Sequence, residues 1–169
     1  LTLSFTLPLY ARDAWRFDMA EALRRCADLL AASDAADGPP PRVETVTPVL
    51  NRLRPLMPPV ARETHLPLTR LEAIQHCLRL FFSLLEVATD LDLPASVQAE
   101  GRPRWSLGAG ERQRLASRLT DIAEGLESGS WAPPRSEPPA GQSLAAQTAE
   151  TQLEQLRRLL FEAPALWSA

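Results

Sequence analysis

The stretch Thr69-Arg-Leu-Glu-Ala-Ile-Gln-His-Cys-Leu-Arg-Leu-Phe-Phe-Ser-Leu-Leu-Glu86, continuing to Leu93, decides the fold. Placed on a helical wheel at about 100° per residue, its polar residues fall on one narrow stripe: Glu72, Gln75, Arg79, Ser83, Glu86 and Asp90. Ile74, Leu78, Phe81, Leu85 and Ala88 occupy one flank, and Leu80, Leu84, Val87 and Leu91 the other. So wide an apolar arc needs neighbours on two sides, which predicts the central helix of a bundle. Thr69 and Glu72 have the spacing of a capping box, the hydroxyl closing the helix start and the carboxylate reaching back. Pro94 stops the helix.

Three further long helices flank it. The first spans Arg12 to Ala32. Trp15, Met19, Leu23, Cys26 and Leu30 make its apolar stripe, opposite Asp18, Glu21, Arg24, Arg25 and Asp28. Phe17 breaks the pattern by falling among the charges, so it is expected to contact something outside the domain. Another helix runs from Glu111 to Glu127, with Leu115, Leu119, Ile122 and Leu126 at 4-3-4 spacing and Gly129 as its stop. The last is capped by Ser143 and reaches Glu162, with Ala145, Ala149, Leu153, Leu156 and Leu160 facing inward. The 4-3 spacing of these two suits near-antiparallel packing.

The sixteen prolines act mostly as punctuation between periodic segments. Thr47 can cap a short helix, Pro48 to Leu53, with Pro48 at its first position. Pro55, Pro58, Pro59 and Pro67 predict an irregular path to Leu68, with one turn around Ala61 to Thr64. Trp131 to Gly141 reads as a stiff Pro-rich linker. Shortening it between Pro133 and Pro139 is expected to cost little, because loop length enters stability only logarithmically. No window alternates with a period of two, so strands are not expected. The prediction is an all-α fold, an antiparallel bundle of four long helices plus one short helix. It should occupy residues 11–163, with an apolar lead-in at 1–10 and a tail at 164–169.

Chemistry is thinly represented. The net charge is −3, from 18 arginines and no lysine against 21 acidic residues. That balance gives no support to a nucleic-acid partner, which would favour a basic excess. His65 and His76 have no second ligand at metal-binding spacing, and they read as a loop histidine and a helix-edge histidine. No nucleophile motif and no phosphate-binding glycine loop is in register. No catalytic residue, metal or cofactor is therefore expected. Cys26 and Cys77 fall on apolar faces and read as buried thiols. Arg24-Arg25 and Arg157-Arg158 could meet phospholipid headgroups, although solvated helix faces are the commoner reading. Phe81, Phe82, Trp105 and Trp131 could line a pocket for an aromatic ligand. Core packing explains the two phenylalanines equally well.

The two ends are apolar: Leu1-Thr-Leu-Ser-Phe-Thr-Leu-Pro-Leu-Tyr10 and Ala163-Pro-Ala-Leu-Trp167-Ser-Ala. Both read as cut points in a longer polypeptide, and the opening is too short and lacks the basic region of a signal peptide. The apolar opening leads into Arg12-Asp-Ala-Trp-Arg-Phe-Asp-Met-Ala-Glu-Ala-Leu-Arg-Arg-Cys-Ala-Asp-Leu-Leu30. An arginine-led helix follows from Thr69, and then a Pro-rich break precedes a last helix ending near Trp167. In this arrangement the chain resembles the soluble region of the fusaric acid resistance and aromatic acid exporter family of bacterial inner-membrane proteins. The resemblance covers nearly the whole chain as a pattern, without a diagnostic triplet. It implies a non-catalytic helical domain joined to transmembrane bundles of an efflux protein, on the cytoplasmic side. The transmembrane portion of the same polypeptide would be its partner, a second copy of the chain another, and it transfers no catalytic residue. Trp167 would sit at the headgroup level, where tryptophan is enriched, with Arg12, Arg16 and Phe17 close to the membrane. The alternative is a free-standing helical domain that binds a small ligand or a protein partner.

Overall fold

The computed structural model describes residues 10–32, 46–90, 107–131 and 141–168. The fold is all-α: 86% of the described residues are helical and none is in a strand. The helices are α1 (Ala11–Ala32), α2 (Thr47–Thr64), α3 (Leu68–Asp90), α4 (Ala109–Ser128) and α5 (Leu144–Phe161), followed by a 3-10 turn at Pro164–Leu166.

Each helix packs mainly on two others. α1 lies against α2 and α4, α3 against α2 and α5, and α4 against α5. The result is a closed ring in the order α1–α2–α3–α5–α4. No helix is central, which corrects the expectation for α3. Its wide apolar arc is used instead on two ring neighbours.

Side-chain contacts fix the directions. Arg12 meets Glu63 while Arg52 meets Asp18 and Glu21, so α1 and α2 are antiparallel. Arg70 meets Glu162 while Cys77 meets Gln152, so α3 and α5 are antiparallel. Arg24 pairs with Glu127, which sets the end of α4 beside the middle of α1. By contrast, Ser143 bonds Glu111 and Arg118 bonds Glu150, each pair 32 residues apart. A constant offset means that α4 and α5 run parallel, unlike the antiparallel packing expected of them. A ring of five directed helices cannot alternate all the way round, so one seam has to be parallel. The segment joining Trp131 to Gly141 therefore connects opposite ends of the bundle.

α2 is the largest departure from the sequence reading. It is a helix of 18 residues, not six, and it contains Pro55, Pro58 and Pro59. Its buried positions are Val49, Leu50, Leu53, Met57 and Val60, a 3-4 periodicity that runs straight through the prolines. Pro55 and Pro58 are exposed and Pro59 is half-buried. The carbonyls that lose an N–H partner therefore lie toward water, which can replace it, and this lowers the cost of an interior proline. Val46, not Thr47, is the N-cap, and no side chain closes that end. At the other end His65 adopts the left-handed conformation (φ 56°) that terminates the helix.

α3 begins at Leu68, so Thr69 sits inside the first turn and the expected capping box does not start the helix. The amide of Arg70 donates to the Pro67 carbonyl instead. Gln75 is buried, not on the solvent stripe, and its Nε2 donates to Leu50 O at 3.4 Å. Leu80 and Val87 are exposed. The tail also departs from expectation. Ala163 and Leu166 are fully buried and the 3-10 turn packs on α1 and α5, so residues up to Leu166 belong to the bundle. Residues 1–9 lie outside the described residues.

The parallel seam has its own chemistry. Two adjacent helix N-termini place two positive dipole ends together. Glu111 answers both. It accepts from the Gly108 amide at 2.8 Å at the start of α4, and from the amide and hydroxyl of Ser143 at 2.7 and 2.8 Å at the start of α5. Burial pushes the Glu111 carboxyl up, but those donors and Arg114 outweigh it, so it lies below its ordinary value. Glu111→Ala is expected to cost about 1–3 kcal/mol at neutral pH, the range for losing a cap and charged hydrogen bonds. A carboxylate with a lowered folded pKa contributes stability above its unfolded pKa and loses it as pH falls through the folded one. The gap between wild type and variant should therefore narrow in acid, as read by urea melts at neutral and acidic pH. A gap that is constant with pH would sink this account.

Candidate functional site

One end of the ring gathers most of the residues singled out by sequence. α1 starts there, with Tyr10 O accepting from Asp13 and Ala14. α2 ends there, and Glu63 accepts the Arg12 amide at 3.1 Å, placing negative charge at the start of α1. α3 begins there, α4 and α5 end there, and the 3-10 turn closes it.

The two termini of the described chain meet at this end. Arg12 Nη1 donates to Ser168 O at 3.1 Å, and Arg16 Nη1 donates to Trp167 O at 3.3 Å. Asp13 lies 3.4 Å from Arg12 and 3.7 Å from Arg16. The guanidinium groups thus hold the last residues of the chain against the first turns of α1.

Trp167 is the hub of an aromatic cluster. Its indole N–H donates to Leu160 O at 3.0 Å. Its ring lies 5.7 Å from Trp131, edge-on, and 6.4 Å from Phe161, stacked. Trp131 in turn meets Phe161 edge-on at 6.3 Å. The Trp131 ring covers Gly125, where a Cβ would approach it to 2.9 Å. Gly129, at φ 70°, lets the chain leave α4 and turn Trp131 back. The Trp131 indole N–H is buried without an acceptor among the described residues, and ring packing positions it.

Arg12, Arg16 and Trp167 therefore come together. Phe17 is 63% exposed on α1, on the charged face where the sequence placed it. Tyr10, Leu68 and Phe161 are exposed at the same end. Phe81 and Phe82 are elsewhere, packed in the core, and Trp105 lies outside the described residues. Trp131 serves the end cluster and not a pocket with the phenylalanines. Phe161 and Glu111 were not foreseen as contact residues. Gly125 within a helical pattern was the signal of a close approach.

The basic pairs are engaged within the chain. Arg24 makes a two-pronged pair with Glu127, Arg25 bonds Glu21, Arg157 bonds Glu154 and Arg158 lies 3.3 Å from Glu162. The Glu127 hydrogen bond raises Arg24 and lowers Glu127 against opposing burial. Both groups are well exposed, so the pair contributes about 1 kcal/mol at most. Cys26 and Cys77 are buried free thiols. Burial pushes Cys26 up to about 12 and raises Cys77, which leaves both as unreactive thiols at neutral pH. His65 and His76 are exposed. Among the described residues, no three His, Cys, Asp or Glu side chains gather as metal ligands would. No described helix is long and apolar enough to cross a membrane.

No protein-family model, curated protein or solved structure matches the chain.

Proposed function

We propose that this chain is a non-catalytic domain of a bacterial membrane efflux transporter, with a structural or assembly role. It would attach to the transmembrane portion by the end that gathers Arg12, Arg16 and Trp167. The observation that carries this reading is the pairing of the two chain ends, through Arg12 to Ser168 and Arg16 to Trp167. A domain interposed between membrane spans sends its chain in and out on one side, and this end has that geometry. The exposed rings of Tyr10 and Phe161 and the side chain of Leu68 offer apolar surface there. Arginines close to span ends favour the cytoplasmic side of the inner membrane. The small-ligand alternative is weakened, since Phe81 and Phe82 are taken up by core packing.

The encoding reading frame tests the main point. Apolar spans of about 20 residues are expected immediately before Leu1 and soon after Trp167. A frame that starts near Leu1 and stops near Ala169 rules the transporter reading out. Phe17→Asp tests the attachment. The isolated domain should change in stability by no more than about 0.5 kcal/mol, as for an ordinary surface site, while the full-length protein should assemble poorly. Unimpaired assembly would remove Phe17 from the contact.

A further inference from the structure

The tail after α5 is held by two sets of bonds. The first set is local. The amides of Trp167 and Ser168 donate to Pro164 O at 3.1 and 2.7 Å, and Ser168 Oγ donates to the same carbonyl at 2.6 Å. The Trp167 indole reaches back to Leu160 O. The second set comes from α1, where Arg12 and Arg16, one turn apart, donate to Ser168 O and Trp167 O. Both acceptors are main-chain carbonyls. The arginines therefore sense where the tail lies, while the Trp167 ring sets that position through Trp131 and Phe161. The first turn of α1 is lightly held in its turn. Its Arg12 amide donates to Glu63 on α2, and the amides of Asp13 and Ala14 share Tyr10 O.

We infer that the tail and the first turn of α1 form a two-part latch, in which displacing one end of the domain loosens the other. Helix ends and tails are where local opening costs least. Here each element supplies what the other lacks: the last carbonyls of the tail have no helical acceptor role left, and charged donors from α1 satisfy them more strongly than neutral ones would. Opening the tail strips both bonds and leaves the two guanidinium groups beside Asp13, 3.4 and 3.7 Å away. Fraying the first turn of α1 takes Arg12 away from Ser168 O. The link joins residues 156 apart in sequence, and it bypasses the ring between them. The inference does not rest on the transporter reading, since both halves of the latch belong to this domain.

Residue-resolved amide hydrogen exchange on the purified chain tests it. Arg12→Met combined with Arg16→Met keeps most of the aliphatic stems and removes the donors. It should speed exchange of the Trp167 and Ser168 amides about tenfold or more, a common size for coupling between two sites. Exchange in the middle of α3 should not change, because the tail opens without the ring. The reciprocal variant, Trp167→Ala, takes the anchoring ring from the tail. It should speed exchange of the Arg12, Asp13 and Ala14 amides about fivefold or more. Helix content by circular dichroism should match the wild type in both. A tail as protected in the arginine variant as in the wild type overturns the inference. So does an α1 start that stays fully protected in Trp167→Ala, since release would then not pass from one end to the other. Amides of every helix speeding up together, or a variant that fails to fold, also overturns it, because the tail would then have no opening of its own.

Discussion

Phe81→Ala is expected to destabilise the protein by about 3–5 kcal/mol, the range for emptying a buried aromatic site. Phe81 is fully buried, and its neighbours on the same arc, Ile74, Leu78 and Leu85, are buried with it. In a ring of five helices α3 has to seal against α2 on one side and α5 on the other. A cavity at Phe81 therefore lies between two seams. Collapse of one helix to fill it would strain the other, so relaxation is limited and the cost should fall in the upper part of the range. Denaturant melts of the purified chain measure it directly. A loss under about 1 kcal/mol, the scale of a surface change, would mean that Phe81 does not hold the two seams together.

Deleting Pro133 to Pro139 is expected to unfold the parallel seam, contrary to the small cost that loop length alone suggests. Logarithmic closure entropy applies only while the loop can reach. Trp131 is fixed over Gly125, and Ser143 is fixed to Glu111. Those two anchors on α4 are 14 residues apart, or about 21 Å along a helix. Eleven residues join Trp131 to Ser143 in the intact chain, enough to cover about 40 Å when extended. After the deletion Ala132, Ala140, Gly141 and Gln142 remain between them, which reach about 17 Å. The chain must then give up the aromatic cluster, the Glu111 staple or the docking of α5. A loss of several kcal/mol in stability, together with altered tryptophan fluorescence, is the expected outcome. A melting curve close to that of the wild type would show that α4 and α5 are not parallel.

The long amphipathic segments were legible because their stripes are uninterrupted. Trp15, Met19, Leu23, Cys26 and Leu30 in α1, and Leu115, Leu119, Ile122 and Leu126 in α4, are all buried as their spacing implies. α2 was not legible because three prolines were given more weight than the stripe Val49, Leu50, Leu53, Met57 and Val60. A proline breaks a helix through a lost hydrogen bond and a steric clash. The first is cheap on the wet face, and only the apolar periodicity reveals which face that is. Gln75 shows the converse. A polar residue at the edge of an arc is buried when a backbone carbonyl, here Leu50 O, comes within its reach. At the candidate end, Arg12, Arg16 and Trp167 were found from their positions at the chain termini. That the two arginines bond the carbonyls of Ser168 and Trp167 depends on which helices adjoin, and no local pattern encodes that. The same holds for Trp131, whose ring reaches Trp167 only because α4 and α5 end together.

The odd number of helices in the ring has a consequence for how such a chain can be encoded. A two-fold axis along the bundle cannot relate five members. One across the bundle would have to pass through a helix and map it onto itself with its direction reversed, which a polypeptide cannot satisfy. Among the described residues, no two-fold axis therefore relates all five helices of the ring. This agrees with a sequence in which no segment repeats another. Every helix must carry its own solution, from outward prolines in α2 to a buried glutamine in α3 and a shared carboxylate where α4 meets α5.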